Sequence, residues 1–171
     1  MFKICKIIIL LIFVSFPLSV NAHVQHYEDL NRIEFDIYRN NKHIGTHIFS
    51  FKKSEGQLAV ESEINFEIKK LGIVFYRYHV KGTEIYKAGR LIKFNSKTNQ
   101  NGKHKYVNLK LEDGEYTIDG SSYKGKVSED YLLGTWWNHS IVKAKAQISA
   151  VSGRIIKQEV TFLGKETIKF G

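Results

Sequence analysis

Glu84 and Tyr86 stand two residues apart in Thr83-Glu84-Ile85-Tyr86, and His79 lies five residues before Glu84. A carboxylate working with a histidine is a common proton-transfer pair. Extended backbone points successive side chains to opposite faces. The odd separation therefore sends His79 and Glu84 to opposite faces, while Glu84 and Tyr86 share one. Glu84 reads as an inward polar group among aromatics, where burial raises a carboxyl pKa and so hints at function. The plainer alternative pairs it with a nearby cation such as Arg90.

Trp136 and Trp137 are adjacent and sit outside any regular alternation. Neighbouring tryptophans can rim a pocket, stack on sugars or touch lipid. The plainer alternative has one plugging the open end of a sheet and the other half exposed. Glu84, Tyr86, Trp136 and Trp137 are therefore the candidate ligand-binding residues, and no residue is assigned to catalysis.

The histidines do not make a metal site. His43 and His47 are four apart on one strand face. That is about 13 Å at ~3.3 Å per residue, too far to share an ion unless a bulge intervenes. A chain processed after Ala22 would begin at His23, which could bind copper with a distant second histidine such as His43, His47, His79, His104 or His139. A frayed polar terminus is the plainer reading. No nucleophile elbow, P-loop or dinucleotide fingerprint is present, and no metal or cofactor is expected.

Extended segments must position these residues, because period-two alternation dominates the chain. Ile33, Phe35 and Ile37 alternate with Arg32, Glu34 and Asp36. Asn40-Asn41-Lys42 turns the chain into a strand over Ile44–Phe51, and Ser54-Glu55-Gly56 turns it again. Leu58–Lys70 puts Leu58, Val60, Ile64, Phe66 and Ile68 on one face. Leu71-Gly72 then closes a hairpin into Ile73–Lys87, with Val74, Tyr76, Tyr78 and Val80 together. Further strands follow at Leu91–Thr98, Lys105–Leu111, Tyr116–Ile118 and Tyr123–Val127. They are separated by turns that include Asn101-Gly102 and Asp113-Gly114, strong hairpin signals.

Long neighbouring strands twist. The expected fold is all-β: an antiparallel meander forming a curled sheet or partial barrel, with one short helical turn near residues 128–146. Ser128 reads as the N-cap of a short helix over Ser128–Leu133. Ser140–Ile148 leans towards a helical turn. Strands resume at Arg154–Leu163 and Glu166–Phe170. The chain stops at Gly171 directly after an apolar alternating segment, so missing C-terminal sequence is expected; the alternative is a short final edge strand.

The first 22 residues read differently. Two lysines in Met1–Lys6 precede the apolar run Ile7–Leu18, and Ser19-Val20-Asn21-Ala22 ends in small residues. That is the pattern of a secretory signal peptide, residues 1–22, followed by a single β-rich domain, residues 23–171. The alternative is an uncleaved anchor. However, the run falls short of the ~20 residues a spanning helix needs, and Pro17 interrupts it. The processed protein would not span a membrane. Export is the expected destination, the periplasm if the organism is a Gram-negative bacterium.

Composition narrows the partners. The only cysteine, Cys5, lies in the leader, so the remaining chain is held by its core without disulfides. The leader holds two lysines and no acid, so removing it takes the net charge from +9 to +7. The lysines sit at turns or alternate with apolar residues rather than forming a block. They read as solvated strand faces and edges, with weak attraction to anionic lipid or acidic polymer as the alternative, and nucleic acid is not an expected partner.

The sequence resembles domain-of-unknown-function family 6134, a set of short exported bacterial proteins. The likeness runs through Ile33-Glu34-Phe35-Asp36-Ile37, Lys42-His43-Ile44-Gly45-Thr46-His47, Tyr76-Arg77-Tyr78 and Thr83–Leu91. It continues in Ser96-Lys97-Thr98-Asn99-Gln100-Asn101-Gly102, Trp136-Trp137-Asn138 and Ser152-Gly153-Arg154. The resemblance implies an exported all-β domain with further strands beyond Phe170. It implies no activity and assigns no residue a role.

Three functions follow as expectations. A concave sheet face rich in Phe, Tyr and Ile would bind an apolar or amphiphilic ligand, such as a lipid, or an envelope protein, without catalysis. Alternatively, a carboxylate and a histidine would make a hydrolytic enzyme, or a sheet edge would pair in an assembly. The first is preferred.

Overall fold

A computed structural model describes residues 30–165. Eight strands form one antiparallel sheet in strict sequence order. They are β1 (Arg32–Arg39), β2 (Lys42–Ser54), β3 (Gln57–Lys70), β4 (Ile73–Lys87), β5 (Arg90–Gln100), β6 (Lys103–Glu112), β7 (Glu115–Gly120) and β8 (Lys124–Ser128). The meander is therefore as expected, and the sheet is not closed into a barrel. Six of its hairpins turn through a residue of positive φ: Asn40, Glu55, Leu71, Ala88, Asn101 and Asp113. Left-handed backbone at the turn matches the twist of the flanking strands.

The registers stack inward side chains into rows that cross the sheet. One row runs Phe51–Val60–Glu84–Phe94–Leu109–Ile118. Its neighbour runs Phe49–Ser62–Gly82–Ser96–Val107–Gly120. Phe49, Val60, Phe94, Val107, Leu109 and Ile118 are fully buried there and form the centre of the core.

A second layer closes over these rows. It contains β9 (Leu132–Leu133), a 3-10 helix (His139–Lys143), β10 (Ala146–Ile148) and β11 (Ile155–Lys157). β10 pairs parallel with β9 and antiparallel with β11. Leu133, Trp137 and Ile148 complete the core from this side. The cover docks closely at Gly120, where a β-carbon would lie 2.6 Å from the Ser152 carbonyl oxygen. Ser122 N–H donates to that same oxygen, and Ser96 Oγ donates to the Ala150 carbonyl.

The expected helix over Ser128–Leu133 does not form. Ser128 ends β8 instead. Its hydroxyl accepts from Asp130 N–H and its carbonyl from Tyr131 N–H, which makes a turn. Leu132 and Leu133 then gain a strand partner in β10, and Leu133 is buried, which a single isolated helical turn would not achieve. The helical turn lies at His139–Lys143, within the expected 128–146 region, but Ala146–Ile148 is strand.

The strand expected over Arg154–Leu163 is confined to Ile155–Lys157. Beyond it, no strand among the described residues offers a ladder, and Phe162 and Leu163 are exposed. Alternating apolar residues make a strand only where such a neighbour exists. The expected leader at residues 1–22 and the strand at Glu166–Phe170 lie outside the described residues.

Candidate functional site

Three of the four predicted residues meet in the core. Glu84 faces inward near the C-terminal end of β4, between Val60 of β3 and Phe94 of β5, and is completely buried. Tyr86 is the next inward residue, and its hydroxyl donates to Glu84 Oε2 at 2.5 Å. Trp137 reaches down from the cover. Its indole Nε1–H donates to Glu84 Oε1 at 2.9 Å, and Thr135 Oγ1 donates to Oε2 at 3.3 Å. The indole packs edge-on against Phe51 and Tyr86, with ring centres 5.5 and 5.6 Å away.

The electrostatics follow from this enclosure. Burial pushes the Glu84 carboxyl up to about 7, against three donors that favour its charged form. Tyr86 is driven well above the usual phenol range by burial and by the neighbouring carboxyl. The expected pairing of Glu84 with Arg90 is not what forms. Arg90 instead pairs with Glu129 on the surface, since it opens β5 opposite Lys87, where both side chains are exposed, while Glu84 faces the core. Trp136, the fourth residue, points outward and is 75% exposed. The tryptophan pair thus divides into a plug and a surface ring.

The histidines stay apart. His43 pairs with Asp36, His79 with Glu63, and His47 lies against the Phe49 ring at 4.2 Å. Burial lowers the His47 pKa. Among the described residues no three His, Cys, Asp or Glu side chains converge as a metal site would require.

The far half of the inner face has a different character. Here Ile64, Phe66, Ile68, Tyr76 and Tyr78 are only partly buried. Phe66 stacks on Tyr76 with ring centres 5.9 Å apart and tilts against Tyr78 at 5.1 Å. A polar chain borders this aromatic floor. Lys105 Nζ donates to Gln100 Oε1 at 2.7 Å, and Gln100 Nε2 donates to Tyr76 Oη at 3.0 Å. Beside them is Thr98, across from Val80 and Lys105 and 2% exposed. Its hydroxyl is the one buried side-chain oxygen or nitrogen of the described residues without a hydrogen-bond partner. The hydrogen bonds and ring contacts of the cover described above fall on the rows from Tyr86 to Ser96, one step short of this half.

Sequence reasoning placed Tyr76, Tyr78 and Val80 on one face but missed this cluster. Its signal was parity: Tyr76 and Tyr78 lie on the same face as Glu84 and Tyr86. Thr98, Gln100 and Lys105 carry no such signal, because only the β4–β5–β6 register brings them to Tyr76. A shallow groove of about 550 Å³, lined mostly by outward-facing residues, crosses β4–β6 at His79, Lys81, Lys97, Thr98, Asn99, His104, Lys105 and Tyr106. None of the four predicted residues lines it. No helix among the described residues is long and apolar enough to cross a membrane.

No curated protein and no solved structure matches this sequence. Residues 35–171, well over half of the chain, match the family described as Domain of unknown function (DUF6134), and the chain, with its open eight-stranded meander, belongs to that family.

Proposed function

We propose that this is an exported β-domain, residues 23–171 after loss of the 1–22 leader, whose inner face holds an amphiphilic ligand or an apolar segment of an envelope partner. The periplasm is its proposed location. The observation that carries this reading is the half-buried floor of Phe66, Tyr76 and Tyr78 bordered by Lys105, Gln100 and the unpartnered Thr98 hydroxyl. A buried hydroxyl without a partner costs about 1–3 kcal/mol. A small side-chain shift that opens this hydroxyl to a ligand acceptor or donor removes the cost. The aromatic rings take the apolar body, and Lys105 supplies a cation for an acidic headgroup.

Glu84, Tyr86 and Trp137 have a supporting role in this reading. Both carboxyl oxygens are occupied inside the core, and the triad clips the cover to β4. That leaves Glu84 as a strut rather than the acid of a hydrolase.

Titration of the full chain with a fluorescent fatty acid tests the proposal. Saturable uptake is expected, weakened several-fold by Lys105→Met, while uptake of an uncharged fluorescent alcohol of the same chain length stays unchanged. No saturable uptake of either probe by the folded chain would overturn it.

A further inference from the structure

The β3–β4 hairpin is the place where the sheet departs from its own rules. The ladder between β2 and β3 ends at Gly45 and Phe66, and the ladder between β4 and β5 ends at Tyr78 and Gln100. The last backbone contact on that side is Asn101 N–H donating to the Arg77 carbonyl. From Glu67 to Tyr76 the hairpin therefore has no ladder partner outside itself: it runs past the end of β5 by roughly 13 Å at ~3.3 Å per residue, while β2 continues from Ile44 to Lys42 paired only with β1.

The overhang is tipped with apolar side chains. Leu71 is 93% exposed, Ile73 63% and Phe75 59%. Leu71 occupies the first left-handed position of the turn, at φ 52. The five matching positions in the same sheet hold Asn40, Glu55, Ala88, Asn101 and Asp113. Each of those is small or polar. A branched apolar residue at positive φ costs of order 1 kcal/mol, and here it gains no burial in return. Lys69, Lys70 and Arg77 surround the tip against one carboxylate, Glu67, which pairs with both Lys69 and Arg77.

We propose that this hairpin is a membrane-docking element: Leu71, Ile73 and Phe75 enter the interfacial region of an anionic bilayer while Lys69, Lys70 and Arg77 contact its headgroups. Apolar tips collared by cations combine the two interactions that hold a protein at such a surface, buried apolar area and attraction to acidic lipid. The proposal is independent of the inner-face ligand, because the tip residues lie beyond the aromatic floor.

Co-sedimentation of the full chain with vesicles tests it. Binding to phosphatidylglycerol/phosphatidylethanolamine vesicles is expected, weaker on pure phosphatidylcholine and weakened by salt. Leu71→Asn places a residue suited to the turn, so its melting temperature should equal or exceed that of the parent chain. The double variant Leu71→Asn with Phe75→Thr should bind anionic vesicles at least about tenfold less and up to about a hundredfold less, since each large side chain fully withdrawn from lipid is worth about tenfold. Its fatty-acid uptake should be unchanged. A parent chain that ignores anionic vesicles, as a hairpin seated in a protein partner would, overturns the proposal. So does a folded double variant that binds them as well as the parent.

Discussion

At the scale of single residues, Glu84 adds a pH-dependent contribution to stability. Its carboxyl titrates near 7 in the folded chain against an ordinary value of 4.5. Across that interval the folded chain keeps a proton that the unfolded chain has released. The resulting stabilisation is fully present below pH 4.5 and is lost as pH rises through about 7. Glu84→Gln keeps the shape, cannot ionise and removes this slope. Urea unfolding from pH 5 to 8 should show the variant gaining on the parent chain as pH rises, by roughly 3 kcal/mol at most. Trp137→Phe keeps most of the ring and deletes the indole N–H, leaving Glu84 Oε1 without its 2.9 Å donor. A loss of about 1–3 kcal/mol is expected in the same assay. Trp136→Ser, on a side chain 75% exposed, should change stability by less than about 0.5 kcal/mol. Parity in the sequence was enough to turn Glu84 and Tyr86 inward together. The partners Thr135 and Trp137 were not readable as partners, because they come from about fifty residues further along, and their approach depends on how the cover folds back.

At the scale of elements, legibility followed the physics of each segment. Hairpins announced themselves, since Asn101-Gly102 and Asp113-Gly114 accept left-handed backbone at little cost and the flanking residues alternate. The cover did not. Ser128-Glu129-Asp130 has the composition of a helix start, yet the same serine oxygen closes a turn equally well. The outcome was set by a parallel pairing between Leu132-Leu133 and Gln147-Ile148 that no local pattern encodes. The joint between cover and sheet yields its own prediction. Gly120→Ala would bring a β-carbon to 2.6 Å from the Ser152 carbonyl and displace the backbone contact there. Hydrogen exchange should then speed up across Leu133–Ile155 while the amides of β3 and β4 keep their protection. Uniform loss across all strands would show that the cover is not a separable layer.

At the scale of the whole molecule, one curled sheet presents two unlike inner halves. The half beneath Trp137, Leu133 and Ile148 is sealed by the chain's own cover and holds the fold together without any disulfide. The other half keeps aromatic rings partly exposed beside a lysine and an unpartnered hydroxyl. Composition pointed to such a face only in general, through aromatic content and long strands. Which rings share it with Thr98 and Lys105 depends on a register running through three hairpins, β3–β4, β4–β5 and β5–β6. Native mass spectrometry of the full chain, expressed with its leader and purified from cells without detergent, tests this division most directly. The account predicts a non-covalent companion of lipid-like mass that leaves on denaturation and is diminished by Phe66→Ala with Tyr78→Ala. A folded protein that carries the polypeptide mass alone, and acquires no companion when incubated with a membrane lipid extract, would contradict it.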